Sequence, residues 1–384
     1  MSGLDGLAGS LRVRPGAPLT EALLSGRQDW AGRIGRGQPA SALPGLLSGL
    51  FSLCGHSHRL CAQLAIHAAA PGTLAAPAEV AQRLRRETAQ EHVRRIGLDW
   101  PRLLAGPCGV GTDAALAALQ ACPLLKTAAP ADDPWPATLD WLQRECLQMP
   151  AATWLRAWQA CGADWLLDWS QRHTGWLPAL LHSAREADTG PALDMALALR
   201  VHDDPGALST LAAALALKDC FAMRPQWHGG CAHTGPWARQ DTPDDGLALT
   251  PWALLGSRLA ELVRLCLPGD AAQGRAPRLG FGALQTGERQ GLAWVEMARG
   301  LLVHQVEIDA AVEPAKVLAC RVLAPTEWNF HPQGEVARRL AALDRGLPAP
   351  VLARQVGLLM AAFDPCVPFH IETEQAAMQE MQHA

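Results

Sequence analysis

Most of this chain carries the 3.6-residue hydrophobic period of amphipathic helices, and one stretch, residues 279–329, does not. That contrast constrains the fold more than any other feature. Helical patterns run over 75–104, 113–122, 137–147, 151–172, 207–219, 251–267 and 351–363. In the first of these, Val80, Leu84, Val93, Ile96 and Leu98 form an intermittent apolar face beside arginines and glutamates. Pro/Gly-rich breaks at 129–136, 225–236 and 269–277 separate the helices. Within 279–329, residues 294–297, 301–308 and 317–323 read as short strands joined by turns. The expectation is an α+β fold, predominantly α, with one small β-sheet. No period of 20–50 residues recurs, which argues against a solenoid.

A chain of 384 residues, 49% apolar and 18% charged, buries a sizeable core and is too apolar for disorder. A net charge of -4 with no basic stripe argues against nucleic acid as a partner. No segment supplies the ~20 uninterrupted apolar residues of a membrane helix. The first fourteen residues lack the charged and apolar regions of a signal peptide, so the expected location is cytoplasmic. In that compartment the eleven cysteines are expected as free thiols, most of them buried.

Two segments carry chemistry. The first, Ser52-Leu53-Cys54-Gly55-His56-Ser57-His58-Arg59-Leu60-Cys61, opens a helix. With Cys54 in the first turn, Ser57, His58 and Cys61 share its face. At ~1.5 Å rise per residue, Cys54 and Cys61 stand ~10 Å apart, too far to ligate one ion, whereas Cys54 and His58 can share one. A helix N-terminus also lowers a thiol's pKa, which makes Cys54 a candidate thiolate. The second segment, Phe363-Asp364-Pro365-Cys366-Val367-Pro368-Phe369-His370, presents Cys366 in a non-helical turn between two prolines. Two cysteines with histidines at opposite ends of the chain suit a soft-metal site; the alternative is buried free thiols and surface histidines. Cys108, Cys122, Cys146, Cys161, Cys220, Cys231, Cys266 and Cys320 form no close Cys-x-x-Cys pair, which argues against an iron-sulfur or structural zinc site.

Together the two segments resemble the metal-binding ends of nickel-iron hydrogenase large subunits, Arg-x-Cys-Gly-x-Cys-x-x-x-His and Asp-Pro-Cys-x-x-Cys-x-x-His. Four more matches follow in family order. Residues 19–27, with Glu21, resemble Arg-Gly-Phe-Glu-x-x-Leu-x-Gly-Arg. Residues 230–239, Gly-Cys-Ala-His-Thr-Gly-Pro-Trp-Ala-Arg, resemble Ala-Glu-Thr-Gly-Pro-Leu-Ala-Arg, with His233 at the glutamate. Glu296-Met297-Ala298-Arg299-Gly300, followed by His304, is similar to Glu-Ala-Pro-Arg-Gly followed by Gly-His. Ala324-Pro325-Thr326-Glu327-Trp328-Asn329 is similar to Val-Pro-Thr-Thr-Trp-Asn. The resemblance implies a single large-subunit-like domain over 1–384. In it, segments 1–70 and 278–384 would meet at a metal site around a central helical region, 71–277.

The departures are as informative. The family's terminal nickel ligands correspond to Cys54 and Cys366, but its two bridging cysteines correspond to Ser57 and Phe369. Serine and phenylalanine cannot replace thiolates that bind two soft metals at once. The first motif's histidine is Cys61, and the proton-relay glutamate aligns with Ala8, which removes a proton acceptor. This pattern resembles the HupK/HoxV group of large-subunit-like accessory proteins. The resemblance then implies no enzyme activity, no nickel, and a scaffold or carrier for the iron-dicyano-carbonyl unit on its way to the large subunit. Cys54 and Cys366 would be thiolate ligands, and His58 and His370 possible additional ones. Arg299 and Thr326 would contact the cyanides, and Glu21 and Glu372 would sit at the family's magnesium position. Expected partners are a HypC-type chaperone, a HypD-type scaffold and the hydrogenase large subunit. The alternative is a metal-free chaperone or decoy that recruits maturation proteins or the small subunit. The family's cleaved C-terminal extension corresponds to 373–384.

Overall fold

The structure, a computed structural model, describes residues 9–73, 77, 79–106, 109, 111–126, 133–194, 198–200, 204–217, 220–239, 249–268, 279–311 and 313–372. Ala8, Cys108 and the tail 373–384 lie outside the described residues.

Near the N-terminus two short strands, β1 (Leu11–Val13) and β2 (Leu23–Ser25), pair antiparallel. An antiparallel meander follows much later: β3 (Phe281–Gly287), β4 (Gln290–Met297), β5 (Gly300–Asp309) and β6 (Lys316–Leu323). The last strand, β7 (Phe369–Ile371), lies parallel to β1, with Leu11 opposite Phe369 and Val13 opposite Ile371. Instead of one small sheet there are therefore two. The sheet β2-β1-β7 ties the N-terminal segment to the end of the C-terminal one. Its strands are three residues long, too short to show a period-2 pattern, and its parallel pair joins opposite ends of the chain.

The meander is covered on both faces. On one face the helix Gly55–Ala69 packs Leu60, Cys61, Ala65 and Ile66 against Ala293, Val295, Leu302 and Val306. On the other, Leu208, Leu211 and Leu215 of the helix Pro205–Leu217, with Trp328, pack against Leu292, Leu301 and Val303. Burial on both sides explains why Leu301-Leu302-Val303 reads as a continuous apolar run rather than an alternation. The first helix approaches β4 so closely that a Cβ at Gly291 would overlap the backbone of Ala65 and Ala69. Only glycine permits that approach.

The main core surrounds the helix Pro251–Cys266, which is buried along nearly its whole length, its charged Arg258 and Glu261 included. Thr250 caps it, accepting from Ala253 N at 3.2 Å, with proline in the first helical position. Around it stand the helices Val80–Arg94, Ala151–Arg172, which kinks at Gly162, and Ala349–Phe363. The Val80–Arg94 helix continues through a π-helical turn, Arg95–Asp99, into Trp100–Leu104. That turn carries Arg95, which meets Asp364 of the C-terminal cysteine loop at 3.3 Å and Asp99 of its own turn at 2.6 Å.

Three interior motif segments lock together. Thr234 N donates to Asn329 Oδ1 at 2.9 Å, and Asn329 Nδ2 donates back to Thr234 O at 2.8 Å. Leu301 N donates to Thr234 Oγ1 at 2.9 Å, and Gly300, at φ 132°, has no room for a Cβ beside Thr234. Arg239 Nη1 reaches Glu296 at 2.6 Å. These matches are scaffolding: they hold β5 and the helix Pro325–Asn329 in place around the site.

Candidate metal site

Cys54 ends a 3-10 turn, Ser52–Cys54, and stands immediately before the helix Gly55–Ala69, buried. Cys366 follows the helix Ala349–Phe363, which Asp364 terminates at φ 50°. The flanking prolines keep residues 364–368 irregular, and Cys366 is half-buried. Arg27 Nη1 donates to Cys366 Sγ at 3.3 Å and Thr326 Oγ1 donates to it at 3.0 Å, while Cys366 N donates to Thr326 Oγ1 at 3.2 Å. Glu327 holds Arg27 Nε at 2.6 Å. Thus two donors from distant parts of the chain converge on one sulfur.

Cys54 and Cys366 lie within electrostatic reach of each other and of Arg299. The helix N-terminus does not lower the Cys54 thiol as the sequence suggested. Burial pushes it well up, Cys366 adds to this, and Arg299 only partly opposes it. The helix N–H groups that would favour a charged sulfur are already used: His56 N and Ser57 N donate to Glu87 Oε1 at 3.2 and 3.3 Å.

Arg299 is fully buried. Its Nη2 donates to Glu91 at 2.7 Å, its Nε lies 3.4 Å from Asp364 Oδ2, and Nη1 finds no hydrogen-bond acceptor among the described residues. Burial opposes its charge, but Asp364, Glu91 and the two cysteines outweigh burial, so the guanidinium stays charged. Asp364 also faces Arg258 at 3.2 Å and Arg95 at 3.3 Å, and Arg95 contacts Glu91 at 3.0 Å. Burial works against the Glu91 and Asp364 carboxylates, yet the arginines hold both below the usual range. A fixed lattice of ions therefore backs the two thiols.

The surroundings of the other candidate ligands differ. His58 is buried between helix and sheet, its Nδ1 3.0 Å from His304 Nε2 and its ring stacked on Phe51 at 4.0 Å. Burial lowers both histidines, His304 to about 3. His370 is exposed on β7, opposite Arg12. Glu21 and Glu372 do converge, on a guanidinium: Arg14 Nε lies 2.6 Å from Glu372 and Nη1 3.8 Å from Glu21. Arg14 supplies the positive charge between them. At the bridging positions, the Ser57 hydroxyl donates to Glu87, and Phe369 packs against the main core. Among the described residues no three His, Cys, Asp or Glu side chains form a group that could hold a metal ion. A cavity of about 420 Å³, lined by Leu53, Arg95, Trp100, Asp364, Val367 and Phe369 among others, opens beside the Cys366 loop.

Over 374 residues the chain is 39% identical to the hydrogenase expression/formation protein HoxV of Cupriavidus necator, covering 95% of this chain and 96% of that protein. The chain belongs to the HoxV/HupK family. A second member, hydrogenase expression/formation protein HupK of Bradyrhizobium diazoefficiens, is 31% identical over 353 residues, with 90% of each chain covered. No protein-family model matches. Among solved structures, an NAD+-reducing [NiFe]-hydrogenase in the H2-reduced state aligns with TM-score 0.51 at 17% identity, over 90% of this chain and 91% of that one. A [NiFeSe]-hydrogenase of Dm. baculatum aligns with TM-score 0.51 at 12% identity, over 89% and 92%. The α+β fold is that of nickel-iron hydrogenase large subunits. In this HoxV/HupK chain, as far as it is described, no helix is long and apolar enough to cross a membrane.

Sequence reasoning left Arg27, Glu87, Glu91 and Asp364 without roles. Arg27 ends the 19–27 match and Asp364 opens the last motif, so both were in view. Glu87 and Glu91 stand one turn apart in an arginine-rich helix, where carboxylates ordinarily read as a solvated face. No local signal distinguishes these two.

Proposed function

We propose that this accessory protein of hydrogenase maturation is a non-catalytic scaffold that holds the iron-dicyano-carbonyl unit between Cys54 and Cys366 before it reaches the hydrogenase large subunit. One observation supports this reading most: two cysteines from opposite ends come within electrostatic reach of each other with no third protein ligand grouped with them among the described residues, beside a buried arginine with an unused donor. A site of two thiols poorly satisfies an ion that needs four protein ligands. It suits a metal that arrives with ligands of its own, and the free N–H of Arg299 matches the acceptor nitrogen of a cyanide. Thr326 gives its one hydroxyl hydrogen to Cys366 Sγ, so its part is to polarise that sulfur, and Arg299 is left as the cyanide contact. The cargo supplies the low-spin iron chemistry. The protein supplies two sulfurs and a fixed positive charge. With Ser57 and Phe369 at the bridging positions, a second soft metal has no shared thiolates, so the cargo stays transferable. HypC-type and HypD-type proteins and the large subunit are the partners this role requires.

The test is infrared spectroscopy of protein purified anaerobically from cells making the maturation machinery. Cyanide and carbonyl stretches with bound iron are expected, and Cys54→Ser or Cys366→Ser should remove them. If both variants keep the bands, the ligand assignment is wrong. If the bands are absent while complexes with maturation proteins still form, the protein is a metal-free chaperone. Hydrogen uptake by the isolated protein would overturn the non-catalytic assignment.

A further inference from the structure

The Ser57 substitution does not stand alone. Ser57 is buried three residues after Cys54, and its hydroxyl donates to Glu87 Oε2. The other oxygen of the same carboxylate accepts from His56 N and Ser57 N. The helix Gly55–Ala69 has no side-chain cap of its own, so Glu87, reaching across from another helix, serves as its cap. Three donors at the start of this helix are thereby committed to one carboxylate. A helix N-terminus is a natural seat for an anion, and here the seat is filled from within. Glu87 and Glu91 lie four residues apart on one face of the helix Val80–Arg94: Glu91 fixes Arg299, and Glu87 fixes Ser57.

We propose that Glu87 is a specificity-determining residue of this site: by occupying the N–H groups and the hydroxyl at position 57, it excludes a further anionic ligand there and restricts the site to a single soft metal. The inference rests on the two-thiol reading above and deepens it. A serine in place of a bridging cysteine removes a ligand; the carboxylate also removes the position. Restoring the cysteine alone therefore leaves the site at two thiolates, because the new thiol would donate to Glu87 as the hydroxyl does now.

The probe is cobalt(II), titrated anaerobically into the full chain, with thiolate-to-cobalt charge-transfer absorption as the readout. Wild type and Ser57→Cys should give the same intensity per chain. Ser57→Cys/Glu87→Ala should exceed them by roughly one half, since three thiolates replace two. Ser57→Cys/Glu87→Gln, which keeps an acceptor for the two backbone N–H groups and protects the fold, should show the same rise. A comparable rise in Ser57→Cys alone overturns the proposal, as does no rise in either double variant once circular dichroism shows it folded. The two-thiol reading is tested separately, since it requires Cys54→Ser to abolish the wild-type signal. A rise confined to the double variants would uphold the role of Glu87 even if that signal proved absent.

Discussion

Replacing Glu91 by alanine tests whether the ion lattice behind the thiols is a buried one. Arg299 is 1% exposed and Glu91 7%, joined at 2.7 Å, so the substitution leaves a guanidinium inside the protein with Asp364 at 3.4 Å as its remaining counter-charge. Breaking a buried pair from one side costs about 3–5 kcal/mol, because the surviving charge is desolvated without compensation. Asp364 moves the expectation to the lower end. Arg95 loses its 3.0 Å contact too, but it keeps Asp99 at 2.6 Å and is 16% exposed, so it adds at most about 1 kcal/mol. A loss of roughly 3–4 kcal/mol is a large part of the ~5–15 kcal/mol of a typical domain. The assay is urea unfolding followed by circular dichroism, where that loss lowers the midpoint by about 1 M at a slope of ~3 kcal/mol/M. Glu91→Ala/Arg299→Met should be less destabilised than Glu91→Ala alone, since it removes the uncompensated ion. A cost below about 1 kcal/mol, or a double variant as damaged as the two single losses added, would refute this account of the lattice.

Three further outcomes follow from the geometry. His304 is held neutral by burial, lowered from 6.5 to about 3, and His58 shifts the same way. Their contribution is complete above the unfolded value and is lost as pH falls from about 6.5 toward the folded values. Unfolding free energies from urea titrations at pH 7 and 5.5 should therefore differ by on the order of 1 kcal/mol per pH unit per histidine, lower at pH 5.5, and His304→Gln should flatten the profile. Gly291→Ala should destabilise by about 1–3 kcal/mol by pushing the helix Gly55–Ala69 off β4, whereas Gly45→Ala, in a helix with open space around the new methyl, should stabilise by about 0.5–1 kcal/mol; melting temperatures moving in the same direction would contradict the packing. In iron-loaded protein, Thr326→Val removes a donor to the Cys366 sulfur, so the carbonyl stretch should move to lower wavenumber as the sulfur gives more electron density to iron; an unmoved band would place that hydroxyl elsewhere.

Periodicity found the elements that bury a face of their own. The 151–172 helix was legible end to end because Trp154, Leu155, Trp158, Leu166 and Trp169 recur with its period and line the core. Strands β4, β5 and β6 were legible from their β-branched and apolar runs, each trimmed by one or more residues. β3 was missed because Gly282, Ala283 and Gly287 dilute its pattern and its residues alternate between exposed and half-buried. The 75–104 pattern hid a change to π-helical pairing at Arg95–Asp99, which no side-chain spacing announces. At the site, the cysteines were visible as motif positions, but their partners were not. Arg27 and Thr326 reach Cys366 across 339 and 40 residues, and Arg299 meets Glu91 across 208. Nothing in a charge's local sequence shows that an opposite charge will be folded against it.

The division of labour at the site follows from which groups are fixed and which are not. Asp364 stands at the left-handed end of the helix Ala349–Phe363 and contacts Arg95, Arg258 and Arg299, so the loop bearing Cys366 is anchored two residues before the sulfur. Arg258 reaches on to His92 at 3.2 Å, and since an arginine only donates, His92 Nδ1 must accept and its Nε2 must carry the proton toward Glu261 at 2.6 Å. This places every link of the chain from Asp364 to Glu261 in one protonation state. Buried ion networks of this kind contribute little net stability, because desolvation offsets attraction. Their effect here is geometric, fixing the backbone that carries the last cysteine. The sulfurs themselves are held lightly, Cys366 by two hydrogen bonds and Cys54 by burial. On the proposed scaffold role, a rigid frame around two lightly held thiols, with a hydrogen-bonded serine and a packed phenylalanine at the bridging positions, is a site rebuilt around fewer ligands rather than one left incomplete by their loss.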